Sequence, residues 1–301
     1  KNIVLNFGEG CNAQGTMFPT APATMEAHDT AWTMGSVRPM NREQFYAQMQ
    51  SDESLDYEAY LSCARLLSCQ KPFDQLSNRD ELQFQIVHQV EELWMKLAAY
   101  TLLEIDEQMA ARQSFRVLTL FERVNRILTL MTEQLSLLET MSPKDYQTIR
   151  LQLGNGSGQE SPGFRVLLRM APHLWRTFKT HYLEAEGRTV ESIYDSQYAH
   201  DEAYAVAEGL VEFDERFQTF RARHILLIHR SIGMGAASLK GRPVELLEAG
   251  ARHQFFPELW SIRSQMTDRW GAAYGRVRDS IARPNAAGGA GSACPFNHRG
   301  A

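Results

Sequence analysis

The chain has 301 residues, 44% of them hydrophobic and 10% aromatic, enough for one large domain or two small ones with a substantial core. Its net charge of -5 and pI near 6.0 argue against nucleic acid as the main partner, because phosphate binding needs a basic face and none emerges from the lysines and arginines. No run approaches the roughly 18 to 20 apolar residues that cross a bilayer, so no membrane partner is expected either.

Residues 1 to about 50 mix glycine, proline, threonine and methionine without a sustained period, and we read residues 1–55 as an extended N-terminal arm. From Tyr57 a helical period begins. Leu61, Ala64 and Leu67, with Cys63, predict the inner side of one helix that stops near Gln70-Lys71-Pro72, where proline breaks the pattern. The four cysteines, Cys11, Cys63, Cys69 and Cys294, are scattered, and the spacing of Cys63 and Cys69 suits neither a zinc knuckle nor a redox Cys-x-x-Cys pair. They read as reduced thiols of a cytoplasmic protein.

Arg79 to Lys96 predicts a long helix, because Leu82, Ile86, Val90, Leu93 and Leu97 recur at steps of three and four and lay an apolar packing stripe along one side. Phe84 and His88 lie off that stripe, four residues apart, so ring and imidazole stack on a second face. That face could line a pocket. Spacing alone favours an ordinary surface or core histidine making one hydrogen bond.

Phe115 to Met141 predicts a second long amphipathic helix through Leu118, Phe121, Val124, Ile127, Leu128, Met131, Leu135 and Leu138. Ser142 is placed to cap the helix that starts at Pro143. On that helix Tyr146 and Arg150 share a face. A guanidinium held there beside a phenol makes a fork for the carboxylate of a free amino acid, although a solvated tyrosine and arginine would show the same spacing. Residues 166 to about 210 stay helix-like, and His173, His181 and His200 have no metal-ligand spacing with one another.

Phe213, Phe217, Phe220, His224 and Leu227 step by three and four again, which puts His224 on the buried side of a helix. His229 is rotated from it by about 140° and cannot face the same pocket. A lone histidine on an apolar face is either a satisfied core residue or a ligand. From Pro284 alanine, glycine and serine dominate, and residues 284–301 are expected to be a disordered tail beyond a catalytic domain of residues 56–283.

Several of these stretches together resemble one family. Asp80-Glu-Leu-Gln-Phe84, His88-Gln89 and Glu92-Leu-Trp-Met-Lys-Leu97 are similar to the distal-histidine helix of the tryptophan 2,3-dioxygenase superfamily, histidine-ligated haem oxygenases. Tyr57-Glu-Ala-Tyr60-Leu61 resembles its opening segment, Leu138-Glu-Thr-Met141 through Tyr146 to Arg150 its carboxylate-binding run, and Arg223-His224 through Gly233 its proximal segment. Phe255 to Arg263 resembles its closing helix. The resemblance covers about residues 56 to 270 and implies an all-α fold, a single helical-bundle domain with an N-terminal arm.

The resemblance also implies haem b, with His224 as the axial ligand to iron and His88 on the distal side. Phe84 and His88 would face the indole of an aromatic amino acid, and Tyr146, Arg150, Ser157 and Gly158 would hold it. Tyr57, Tyr60 and Leu61 would reach the pocket of a neighbouring subunit in a homotetramer. Two loops depart from the family. Gln159-Glu160 stand where Phe-Gln is usual, with Pro162-Gly163 replacing two further positions, and Gly233 to Arg242 is shorter than the usual Gly-Thr-rich loop and lacks its threonine, with Ser238 the nearest substitute.

These departures tilt the expected reaction towards insertion of one oxygen at indole C2. The product would be a 2-oxindole of tryptophan or of a substituted tryptophan such as β-methyltryptophan, in antibiotic biosynthesis, with dioxygen or peroxide as oxidant. The alternatives are cleavage of the C2–C3 bond to N-formylkynurenine, a tyrosine hydroxylase of the same superfamily, and a haem-binding protein without catalysis. The hydroxylase's His-x-x-x-Cys pattern is absent, because Ile228 stands where the cysteine would be.

Overall fold

The computed structural model describes residues 41–154, 156, 158–196, 199–235, 250 and 253–270, and every regular element among them is helical. The chain divides into two compact units between Gln50 and Ser51. The described part of the first holds a short helix, α1 (Arg42–Gln48), in a stretch where the sequence shows no period. The predicted tail and most of the predicted arm lie outside the described residues.

The second unit begins with two short helices, α2 (Asp56–Leu61) and α3 (Cys63–Leu67). A single helix was expected over this stretch, with Leu61 and Leu67 inward. Ser62 instead adopts the left-handed conformation at φ 53°, which interrupts the helix, and both leucines are exposed. Glu53 Oε1 accepts the Ala64 N–H at 3.1 Å, satisfying a donor near the start of the restarted helix.

Four long helices follow and carry the core: α4 (Glu81–Ala110), α5 (Ser114–Leu138), α7 (Pro162–Phe178) and α9 (Glu202–Ile232). The shorter α6 (Pro143–Gln152) joins α5 to α7, α8 (Val190–Tyr194) precedes α9, and α10 (Pro257–Trp270) follows it. α4 packs against α5 and α7, and α5 packs against α9. The predicted α5 stripe is inside: Phe121, Val124, Ile127, Leu128, Met131, Leu135 and Leu138 are buried, and Leu118 is half-buried. Burial of each such side chain stabilises by about 1.5–3 kcal/mol before entropy is counted.

α4 is rotated from its expected setting. Ile86, Leu93 and Leu97, assigned to the packing stripe, are 41%, 50% and 40% exposed, while Val87, Glu91, Met95, Ala98 and Leu102 are buried. The helix has apolar residues on more than one side, so periodicity identifies a helix without telling which stripe meets α5 and α7. The rotation turns Phe84 and His88 towards the body of the bundle, where Phe84 packs on the core.

The end of the described chain is tied to α9 by a buried carboxylate. Asp214 Oδ2 accepts the N–H groups of Phe255 (2.8 Å) and Phe256 (3.2 Å) and the indole N–H of Trp260 (2.8 Å), and Oδ1 accepts from Gln218 at 3.0 Å. Arg221, about two turns further along α9, donates to the carbonyls of Gly250 and His253. A buried charge held by several donors in this way seats α10 on the flank of α9. Among the described residues no helix is long and apolar enough to cross a membrane.

Glu91 offers a test of the α4–α5 contact. Burial, with the charge of Glu92 beside it, pushes its carboxyl up to about 7, against a lowering by Gln134 of α5. The folded state therefore binds a proton that the unfolded chain releases above the ordinary glutamate range. The stability due to that proton is present below about pH 4.5 and is lost as pH rises through about 7, a change of roughly 2–3 kcal/mol. Glu91→Gln keeps the neutral shape at every pH. Its melting temperature should match the parent at pH 5 and exceed it by about 5 °C at pH 8, as read by circular dichroism.

Candidate functional site

His88 sits in the second turn of α4 and its position is set from within that helix. Nδ1 lies 2.7 Å from the Phe84 carbonyl oxygen, and the Phe84 ring lies 4.1 Å from the imidazole, tilted by 37°. A carbonyl can only accept, so the proton is assigned to Nδ1 and the lone pair to Nε2. Burial holds the imidazole below the ordinary histidine range, partly offset by the Phe84 carbonyl and by the charge of Glu92, so the ring is neutral at pH 7. A neutral His88 thus presents an acceptor, Nε2, away from its own helix.

Tyr146 approaches the same wall from α6, its ring 6.3 Å from that of Phe84. α6 starts where the sequence predicts: Ser142 accepts the Asp145 N–H at 3.1 Å and Pro143 takes the first helical position. Asn78, just before α4, donates to the Asp145 carbonyl at 2.9 Å and ties the two helices together. Burial raises the Tyr146 phenol above its usual range, while the Arg150 guanidinium one turn on pulls it down, so the two side chains sense each other. Both are half-buried, which leaves them accessible to a ligand.

His224 comes from α9, beneath the Phe220 ring, stacked at 6.2 Å. Burial pushes its imidazole down to about 4, and the nearby His88 imidazole adds to that lowering. His224 nevertheless keeps intermediate solvent exposure. A ring both deep among protein atoms and partly accessible lines a recess, and the His88 imidazole is near enough to act on it electrostatically. Arg223 is anchored by an ion pair to Glu139 at 2.5 Å, which fixes this turn of α9 against the end of α5.

Gly158 begins the turn before α7, and a side-chain carbon built there would lie 3.8 Å from His224 Cε1. The predicted Gly158 is therefore at the recess. Ser157 and Ser238 lie outside the described residues, as does all but the start of the shortened loop after Gly233. Tyr57 and Tyr60 stand apart: they are 73% and 89% exposed on α2, and among the described residues no ring contact joins them to Phe84, His88 or Tyr146. Leu61 is exposed beside them.

The donor set fits an iron porphyrin. His224 is neutral above about pH 5, makes no side-chain hydrogen bond among the described residues, and has Gly158 beside its Cε1, where no side chain intrudes. The described residues hold no cluster of three or more histidine, cysteine or acidic side chains able to bind a bare metal ion. A groove of about 530 Å³ between α5 and α9, lined by Phe121, Asn125 and Gly209 among others, takes in none of the predicted site residues.

Glu92 escaped the sequence reading. It is one turn from His88 on α4, and its Oε2 accepts the Gly163 N–H at 3.0 Å. Its spacing of four from His88 was the available signal.

Residues 42–171 match the family described as Tryptophan 2,3-dioxygenase. The chain is similar to the tryptophan 2,3-dioxygenase of Myxococcus xanthus, 30% identical over 280 residues, covering 76% of this chain and 96% of that protein. It is similar to those of Serratia proteamaculans, 28% identical with 75% and 99% covered, and Rhodococcus jostii, 30% identical with 71% and 93% covered.

Proposed function

The chain belongs to the tryptophan 2,3-dioxygenase family and is an oxidoreductase, and from that premise we propose that it is a haem-dependent enzyme opening the indole ring of tryptophan between C2 and C3. The observation that supports this reading is a chain of neighbours: His224 senses the neutral His88, whose ring lies beside Phe84, and Phe84 lies near Tyr146, which senses Arg150. This revises the expectation of single-oxygen insertion, because the relatives carry the dioxygenase name.

His224 would hold the haem iron, and bound haem would supply the activation of dioxygen. The chain's own residues bind and orient the amino acid. Arg150 grips its carboxylate by paired charge-assisted hydrogen bonds, with Tyr146 beside it. The indole then lies along Phe84, with its N–H directed to His88 Nε2. A neutral His88 accepts that hydrogen bond without needing to take the proton, and so fixes the ring's C2–C3 edge over the reacting centre.

Homotetramer formation belongs to this reading. The exposed Ile86, Leu93, Leu97, Tyr100 and Leu103 form an apolar flank on α4, and exposed Tyr57, Tyr60 and Leu61 are available to a neighbouring subunit's pocket. Free thiols at Cys63 and exposed Cys69 fit the reducing cytoplasm we assign to it.

The second reading keeps one oxygen, giving a 2-oxindole of a substituted tryptophan such as β-methyltryptophan in antibiotic biosynthesis. Gln159, Glu160 and Gly163 favour it, since they change the turn that begins at the recess. Incubation of reduced, haem-loaded protein with tryptophan and β-methyltryptophan under isotopically labelled dioxygen decides between them. Two labelled atoms in a ring-opened product are expected. A product with one added oxygen selects the second reading, and no oxygenated product from either substrate overturns both.

A further inference from the structure

We propose that Glu92 is a positioning residue for this pocket: its carboxylate suspends the turn from Gly158 to Gly163 from the distal-histidine helix and so sets how that turn meets the recess. The proposal rests on the reading above for its effect on catalysis, and on geometry alone for its structural part.

The hydrogen bonds of the α7 N-terminus can be followed donor by donor. A helix leaves its first N–H groups without intrahelical partners. In α7, Pro162 has no N–H to satisfy. The Phe164 N–H is taken by the Ser161 hydroxyl at 3.0 Å, and the Arg165 N–H by the Ser161 carbonyl at 3.2 Å. The Gly163 N–H is left, and Glu92 Oε2 accepts it at 3.0 Å. The carboxylate faces the positive end of a 17-residue helix dipole, which strengthens that bond.

Close approach makes the attachment rigid. A side-chain carbon at Gly163 would come within 2.6 Å of Met95 Cβ and 2.9 Å of Glu92 Oε2, so α7 begins directly against α4 and only glycine fits there. At the other end of the turn the Ser161 N–H donates to the Gly158 carbonyl at 3.2 Å, and Gly158 lies against His224. Phe164, one residue beyond Gly163, stacks on Phe217 of α9 at 5.3 Å. A connected path therefore runs from Glu92 through Gly163 and Ser161 to Gly158 and the His224 ring. Glu92 also sits one turn from His88, so one side chain couples the two walls of the recess.

The test compares Glu92→Ala, Glu92→Gln and Gly163→Ala with the parent. It measures haem content, kcat and KM for tryptophan, and hydrogen–deuterium exchange of the peptide spanning residues 158–168. Glu92→Ala should exchange faster in that peptide and lose about tenfold or more in kcat/KM, mainly through KM, at unchanged haem content. Glu92→Gln keeps an acceptor oxygen and should recover most of both. Gly163→Ala leaves the carboxylate in place but forces the turn away from α4, and should raise KM similarly.

Parental exchange in Glu92→Ala overturns the clamp. So does a Glu92→Gln variant as impaired as Glu92→Ala, which would locate the effect in the charge beside His88. If Glu92→Ala does not fold, an unchanged KM in Gly163→Ala is the overturning result. Should the parent oxygenate no tryptophan, the proposed activity fails, while the exchange measurement still decides whether Glu92 holds the turn.

Discussion

Replacing His224 by alanine is expected to give a folded protein that takes up no haem in its native coordination and whose oxygenase activity falls at least about a thousandfold. The fold should survive because Phe213, Phe217, Phe220 and Leu227 bury the same side of α9, and because Asp214 and Arg221 keep the following segment attached. The recess offers no second imidazole on that helix face, since His229 is turned away. Haemin titration followed by visible absorption, with far-ultraviolet circular dichroism as the control for folding, measures this. A Soret band and axial coordination like the parent's in His224→Ala would remove iron from the proposal.

Arg150→Leu is expected to lower kcat/KM for tryptophan by about 10² to 10⁴, the loss of two charge-assisted hydrogen bonds to a carboxylate in a partly desolvated site. Most of it should fall on KM, because the carboxylate is held equally before and during reaction. The side chain is well placed for the role: buried Ile149 anchors its helix, Ser142 caps it, and Asn78 ties it to α4. Tryptamine, which lacks the carboxylate, separates binding from a general loss of structure. The parent should prefer tryptophan strongly, whereas Arg150→Leu should scarcely distinguish the two. A variant that keeps the parent's preference would assign the carboxylate to another group.

Much of this arrangement was legible in the chain. The step of α5, the Ser142-Pro143 start of α6, and the burial of Phe213, Phe217 and Phe220 follow from local rules of periodicity and capping, which depend on neighbours in sequence. The pairing of Phe84 with His88 and of Tyr146 with Arg150 also follows from a spacing of four.

What escaped depends on contacts between distant segments. The rotation of α4 that exposes Leu93 and buries Glu91 is decided by the shape of α5 and α7. The helix restarted after Ser62 is met at Ala64 by the carboxylate of Glu53, eleven residues earlier. Glu92 gained its partner from Gly163 on another helix, and no local pattern announces that bond. Family resemblance supplied the link between His88 and His224, which spacing alone could not.

The two imidazoles belong to helices near opposite ends of the bundle's sequence. A nascent chain therefore releases α4 from the ribosome long before α9 has been translated, and during that interval its Phe84–His88 wall has nothing to face. On the proposed reading, any polypeptide that stops short of residue 224 can be amply helical and would still have no seat for a haem. Colour would thus report completed synthesis and tertiary assembly rather than helix content.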